Sequence, residues 1–140
     1  MALIVDAGAL CAQADAREPY RASVTAVPRQ EMGALVTSQF VAAEADYLIL
    51  DRLGVGPDVA FLDDLNTATF VAEGATAAEI GTAKQVAAKY RDLKLGIADA
   101  SLVVLARRHN TRRILTLDER AFRAISPLQR GAFGLLPSDA

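Results

Sequence analysis

Four carboxylates in this sequence sit among apolar neighbours: Asp6, Glu44, Asp99 and Asp118. A carboxylate in such surroundings is costly unless it is paired, hydrogen-bonded or bound to a metal. Without histidine or thiolate partners these are hard oxygen ligands, suited to Mg²⁺ or Mn²⁺ and not to zinc. Four of them at close quarters raise one another's pKa values, a conflict that bound cations remove. Such a centre lowers the pKa of a bound water and stabilises the attacking and leaving oxygens of a phosphodiester. Thr116, two residues before Asp118, is placed to bind a metal water or a phosphate, or else simply fills a strand position with a β-branched residue. Arg107, Arg108, Arg112 and Arg113 cluster nearby, with Arg120 and Arg123 just after Asp118. Arginines of this kind hold phosphates without reading sequence, so Arg112 and Arg113 are expected on the substrate side. Few aromatics lie among them, which favours recognition of structured RNA by shape and backbone over base stacking.

Each acid also has a simpler explanation. Asp6 and Asp118 follow apolar runs and could cap the helices that come next. Asp99 falls in a first helical turn, where the helix dipole favours an anion by about 0.3–1 kcal/mol. Glu44 has Phe40, Val41, Tyr47 and Leu48 three and four residues away, which puts it on an apolar helical face where a buried salt bridge would serve. Two acids after core strands, one opening a buried helix and one interrupting an apolar stripe are together hard to obtain from capping alone.

The elements that must position these residues alternate. Ala2–Val5 is too short and too apolar for anything but a buried strand, with an Ala-rich helix from Ala7 to about Ala16. Tyr20 to about Glu31 reads as a peripheral helix, Ala34–Ser38 as a second core strand, and Gln39–Leu53 as a helix closed by Gly54. Asp46 and Asp51 on that helix read as solvated surface. Further helices are expected over Asp58–Asn66 and Ala75–Tyr90, with a short strand at Phe70–Ala72 between them. Ile97–His109 is a helix buried nearly all round, followed by a strand at Ile114–Leu117, a short helix at Glu119–Ile125 and an edge strand at Phe133–Leu136. Strands alternating with helices imply a three-layer α/β/α fold with a mostly parallel sheet, and in such sheets ligands bind beyond the carboxyl ends of the strands.

At 140 residues, 52% hydrophobic and 23% charged, the chain is expected to be one compact α/β domain over 1–140. No run approaches the ~20 apolar residues that span a bilayer. The first residues carry no basic leader, and the single cysteine, Cys11, allows no internal disulfide. A cytoplasmic location is therefore expected. Cys11 reads as a small hydrophobe, since the only histidine, His109, lies far away in sequence. The net charge of −2 hides an asymmetry: residues 1–83 carry 4 basic against 12 acidic side chains, and residues 84–130 carry 11 against 4. A polyanion meeting the basic half accounts for this, as does chance segregation of surface charge.

Taken together, Ile-Val-Asp-Ala-Gly-Ala-Leu around Asp6, Val-Ala-Ala-Glu-Ala-Asp-Tyr-Leu around Glu44, Leu-Gly-Ile-Ala-Asp-Ala-Ser-Leu around Asp99 and Ile-Leu-Thr-Leu-Asp-Glu-Arg-Ala-Phe around Asp118 resemble the four acidic motifs of the PIN domain. Their order and spacing are similar to the VapC toxins of bacterial toxin–antitoxin pairs over essentially the whole chain. The resemblance implies a PIN-like fold and a Mg²⁺/Mn²⁺-dependent endoribonuclease acting on transfer or ribosomal RNA. It also implies a homodimer held inactive by a VapB-type antitoxin. The family's metal-site acids carry over to Asp6, Glu44, Asp99 and Asp118, and its Ser/Thr near the last acid to Thr116. Ser38-Gln39 departs from the Ser-Pro found in many members. A phosphoacceptor receiver domain would need a second acid after the first strand and a lysine after the last, and an Asp-x-Asp phosphatase is excluded by Gly8. The alternative left standing is a non-catalytic RNA-binding or scaffold protein on the same fold.

Overall fold

A computed structural model describes residues 1–140. Five short strands, β1 Leu3–Val5, β2 Leu35–Ser38, β3 Val71–Glu73, β4 Arg113–Leu115 and β5 Gly134–Leu136, form one sheet in the order β3-β2-β1-β4-β5. Every pairing is parallel, with Ile4 opposite both Val36 and Ile114. Parallel strands need crossover connections, and seven helices supply them: α1 Ala7–Ala14, α2 Arg21–Gln30, α3 Gln39–Leu53, α4 Val55–Asn66, α5 Ala77–Lys89, α6 Ile97–Arg108 and α7 Glu119–Ala124. This is the three-layer α/β/α arrangement the alternation implied, with a sheet that is parallel throughout.

The centre is dry. Leu3, Ile4 and Val5 are fully buried, as are Ile114, Leu115 and Leu135. All seven residues of α6 from Ala100 to Ala106 are buried as well. They belong to one cluster of 29 buried residues. A strand or helix covered on all sides reads as a continuous apolar run, and these segments do. Phe122 of α7 closes one end against Phe133, ring edge to ring face at 6.2 Å between centroids.

Helix limits follow local chemistry. Gly54 ends α3 at φ +94°, a conformation that glycine adopts without a Cβ penalty. Thr76 and Glu79 form a reciprocal capping box that starts α5 two residues later than the apolar pattern suggested. The strand expected at Ile114–Leu117 is Arg113–Leu115, so Thr116 and Asp118 lie just past its end. The turn at Arg91–Leu93 is one turn of 3₁₀ helix.

Two expectations about α3 fail. Its buried side is Val41, Ala42, Ala45 and Ile49, not the face carrying Glu44. Glu44 is exposed, and Tyr47, from the expected apolar stripe, is 67% exposed. Asp46, expected in solvent, is half-buried against the carboxyl of Asp58 on α4, whose Oδ1 is buried without a hydrogen-bond partner. Burial and the neighbouring Asp46 carboxyl push the Asp58 pKa up.

Candidate functional site

The chain lays down β1, β2 and β3 in one direction from the centre, then returns to place β4 and β5 on the other side of β1. The order therefore reverses between β1 and β4, and at such a switch point the helices diverge and leave a crevice beyond the strand ends. Asp6 follows β1 and Asp118 follows β4, one on each side of that crevice.

Thr116 ties them together. Its hydroxyl donates to Asp6 Oδ2 at 2.7 Å and accepts the Asp118 backbone N–H at 2.9 Å. Asp6 Oδ1 accepts the Ala7 N–H at 2.6 Å as the cap of α1. Asp118 Oδ1 accepts the Ala121 N–H at 3.3 Å and caps α7. Both capping explanations are thus real. They do not account for burial: Asp6 is 5% exposed and Thr116 2%. Burial pushes the Asp6 pKa up, repulsion from Asp118 and Glu44 adds to it, and the bonds from Thr116 and Ala7 oppose it.

Asp99 arrives from α6, and two buried serines fix where. Ser101 Oγ lies 2.7 Å from Ser38 Oγ, and Ser38 caps α3 by accepting the Val41 N–H at 3.0 Å. The first turn of α6 is thereby held against the start of the helix that carries Glu44. Burial, followed by repulsion from Asp6, Glu44 and Asp118, pushes the Asp99 pKa up to about 6. Asp6 is buried and Asp99 half-buried, and both feel the charges of Glu44 and Asp118, which are exposed at the rim. The four acids stop short of a closed ligand set, since no three of them gather within reach of one ion. Like charges hold one another apart, and two of the carboxylates are committed to helix caps.

The arginines expected on the substrate side lie elsewhere. Arg113 starts β4 and pairs with Glu31 at 2.6 Å, beside the loop that leads into β2. Arg112 donates to the Arg130 carbonyl at 2.7 Å, in the approach to β5. Both therefore occupy the amino ends of the strands, Arg113 about 16 Å and Arg112 about 20 Å along an extended chain from Asp118. Arg108 is consumed by Glu73, Glu79 and the Gly74 carbonyl, and Arg123 by Glu119 and Asp139. Lys94, just before α6, and Arg120, just after Asp118, are exposed and take part in none of the ion pairs. The sequence pattern did not point to Lys94 or Ser101, and Ser38 stood out only for the Gln39 that follows it. The lysine's place five residues before Asp99 was the available signal.

The PIN domain family model matches residues 3–126, which takes in all four acids and Thr116. This chain belongs to the PIN domain family. As a PIN domain it is 44% identical over 135 residues to the protein named ribonuclease VapC26 of Mycobacterium tuberculosis (strain ATCC 25618 / H37Rv), covering 96% of this chain and 100% of that one. Its fold is similar to the crystal structure of Mycobacterium tuberculosis VapC20, a toxin described as cleaving the sarcin–ricin loop, with a TM-score of 0.76 at 18% identity over 85% of this chain and 93% of that one. It is also similar to VapBC2 of Rickettsia felis, described as bound to a DNA fragment of its promoter, with a TM-score of 0.65 at 15% identity over 96% and 98%. At these identities the two structures speak for the fold of this PIN domain.

Proposed function

We propose that residues 1–140 act as one unit, a Mg²⁺- or Mn²⁺-dependent endoribonuclease toxin that hydrolyses a phosphodiester in structured RNA, either transfer or ribosomal. The observation that carries this reading is the Thr116 hydroxyl joining Asp6 Oδ2 to the Asp118 N–H at the switch point of the sheet, with Asp99 close enough for burial and the three other acids to push its pKa up. A divalent cation relieves that repulsion, and an all-carboxylate donor set is hard enough to prefer Mg²⁺ or Mn²⁺. Kinship with a protein named as a ribonuclease supports it further.

Asp6, Glu44, Asp99 and Asp118 would hold the cation, which when bound supplies a Lewis acid at the phosphate and a water of lowered pKa. The chain's own groups do the remaining work. Thr116 acts as a positioning residue, because its proton is committed to Asp6 and its oxygen to the Asp118 N–H. Lys94 and Arg120 draw the RNA backbone toward the strand ends in place of Arg112 and Arg113. Attack by water on phosphorus, with release of the 3′ oxygen, leaves a 5′-phosphate and a 3′-hydroxyl. The VapBC pair among the similar structures supports a VapB-type antitoxin as partner, and an arginine from it would inhibit by competing with the cation. A homodimer in the cytoplasm accompanies this reading, and no helix is long and apolar enough to cross a membrane.

The test is to map RNA 5′ ends in cells expressing the wild type and Asp99→Asn, and to repeat cleavage with purified protein in Mg²⁺, Mn²⁺ or EDTA. New 5′-phosphate ends that vanish with the substitution and with EDTA uphold the reading. Undiminished cleavage by Asp99→Asn removes that residue from the mechanism, and no cleavage of any cellular RNA favours a binding or scaffold role.

A further inference from the structure

At the amino ends of the strands, opposite the crevice, three arginines stand without a counter-ion: Arg107, Arg112 and Arg130. All three are exposed, and none takes part in an ion pair. Their basic neighbours differ, since Arg108 is held by Glu73 and Glu79, and Arg113 by Glu31. Residues 100–117 and 120–138 contain no Asp or Glu, so nothing on those segments neutralises the three.

The fold brings them together. The Gln129 amide donates to the Ala106 carbonyl at 3.3 Å and to the Thr111 carbonyl at 2.8 Å. These bonds fasten the loop that carries Arg130 to the end of α6 that carries Arg107. Arg112 Nε donates to the Arg130 carbonyl at 2.7 Å, and its two Nη groups make no hydrogen bond within the protein. A Cβ at Gly131 would meet Arg112 Nε at 2.7 Å and Cζ at 2.9 Å, so the glycine makes the room in which the guanidinium lies. Arg130 takes φ +74°, a left-handed conformation that residues with a Cβ adopt rarely. The Arg112 guanidinium is thus oriented by the backbone and open at both Nη groups, the geometry that meets two phosphate oxygens at once. Like charges gathered without an acid repel one another, and a polyanion removes that repulsion.

We propose that Arg107, Arg112 and Arg130 form a second contact for the RNA backbone, remote from the cut, which favours substrates whose stem extends past the cleaved loop. Arg112 lies about 20 Å from Asp118 along an extended chain, so a phosphate held here is not the scissile one. A chain of this length has a radius of gyration of about 14 Å, so a structured RNA of some tens of nucleotides matches the protein in size and can touch both ends. Contacts to phosphate carry no sequence information, so the cluster sorts RNAs by shape and reach. The inference rests on the ribonuclease reading above for its ligand, but binding is measured without cleavage.

Filter binding in EDTA tests it, with an RNA hairpin of about twelve base pairs as the probe. Arg107→Gln, Arg112→Gln and Arg130→Gln should each weaken the hairpin by about three- to tenfold, a modest loss because the groups are exposed, and lower its salt slope by about one phosphate contact. Arg130→Gly removes the guanidinium and relaxes the backbone, so it should weaken the hairpin as much while Tm holds or rises. In cleavage with Mg²⁺ these variants should raise KM for stem-bearing RNA and spare kcat, with kinetics on a tetranucleotide around the cut unchanged. Hairpin affinity unaltered in all of them would overturn the contact and leave the ribonuclease reading intact. Weakened hairpin binding in a protein whose wild type cleaves no RNA would uphold the contact and remove that reading. A KM that rises as much for the tetranucleotide would also overturn the contact, since the arginines would then act at the cut.

Discussion

Replacing Asp99 by asparagine should make the metal-free protein more stable while destroying its activity. Burial and three neighbouring acids carry the Asp99 pKa from an ordinary 3.8 to about 6. A carboxyl whose pKa is raised on folding binds more protons folded than unfolded between those two values, so it stabilises the fold below about pH 4 and loses that contribution as pH rises through 6. At pH 7 the ionised group opposes folding. At about 1.4 kcal/mol per pH unit the ceiling is about 3 kcal/mol. Solvent screening at a half-buried site and the helix-dipole attraction that asparagine forfeits reduce this to about 1–2 kcal/mol. For a chain of this length that is a rise in Tm of about 3–8 °C. Thermal unfolding in EDTA at pH 7 and again near pH 4 measures it: the variant should lead at pH 7 and converge with the wild type in acid. Added Mg²⁺ or Mn²⁺ should reverse the order, because a ligand bound only by the folded state stabilises by about 2.7 kcal/mol at a hundred times its Kd. A variant that melts below the wild type in EDTA at pH 7 would show that the four acids do not share one field, and the metal assignment would fall with it.

Other substitutions separate holding the site from building the fold. Thr116→Val leaves Asp6 Oδ2 and the Asp118 N–H unpartnered, so it should cost about 1–3 kcal/mol by denaturant titration. Cleavage should drop with it, and Thr116→Ser should recover most of both. Arg113→Ala strips the partner from Glu31, whose side chain is only 7% exposed, and should destabilise by about 1–3 kcal/mol. Its rate of RNA cleavage per folded molecule should stay unchanged, because it stands at the amino ends of the strands. Arg120→Ala should do the opposite, weakening RNA binding and reducing the salt dependence of log K by about one phosphate contact with Tm unaltered. Asp58→Asn replaces a buried acid that the neighbouring Asp46 opposes. It should raise stability above the ordinary aspartate pKa by about 1 kcal/mol and flatten the fall in stability as pH rises through the acid range.

The sheet could be read from the sequence because a strand buried on both faces must be apolar without interruption, and Leu3–Val5 and Ile114–Leu115 are. Alpha-helical rotation was harder. On α3 two apolar stripes share Val41, the expected one with Phe40, Tyr47 and Leu48 and the observed one with Ala42, Ala45 and Ile49, and the larger side chains favour the first in the sequence. The core chose the second because small alanines let a helix approach a sheet closely. The Asp46–Asp58 contact was beyond reach for a similar reason, since it depends on how α3 and α4 fold back across Gly54.

The arginines show why nearness in sequence misleads at a parallel sheet. Arg113 and Asp118 are five residues apart, but those residues run the length of β4, so the strand itself holds them at opposite ends. Asp6 and Thr116 are 110 residues apart and share a hydrogen bond, because each is the first polar group past the end of adjacent strands. A site at the switch point of such a sheet draws about one residue from each strand or helix that ends there. Under the proposed function its basic side chains come from other turns on the same edge, such as those of Lys94 and Arg120, whereas Arg113 at the foot of β4 serves the fold through Glu31.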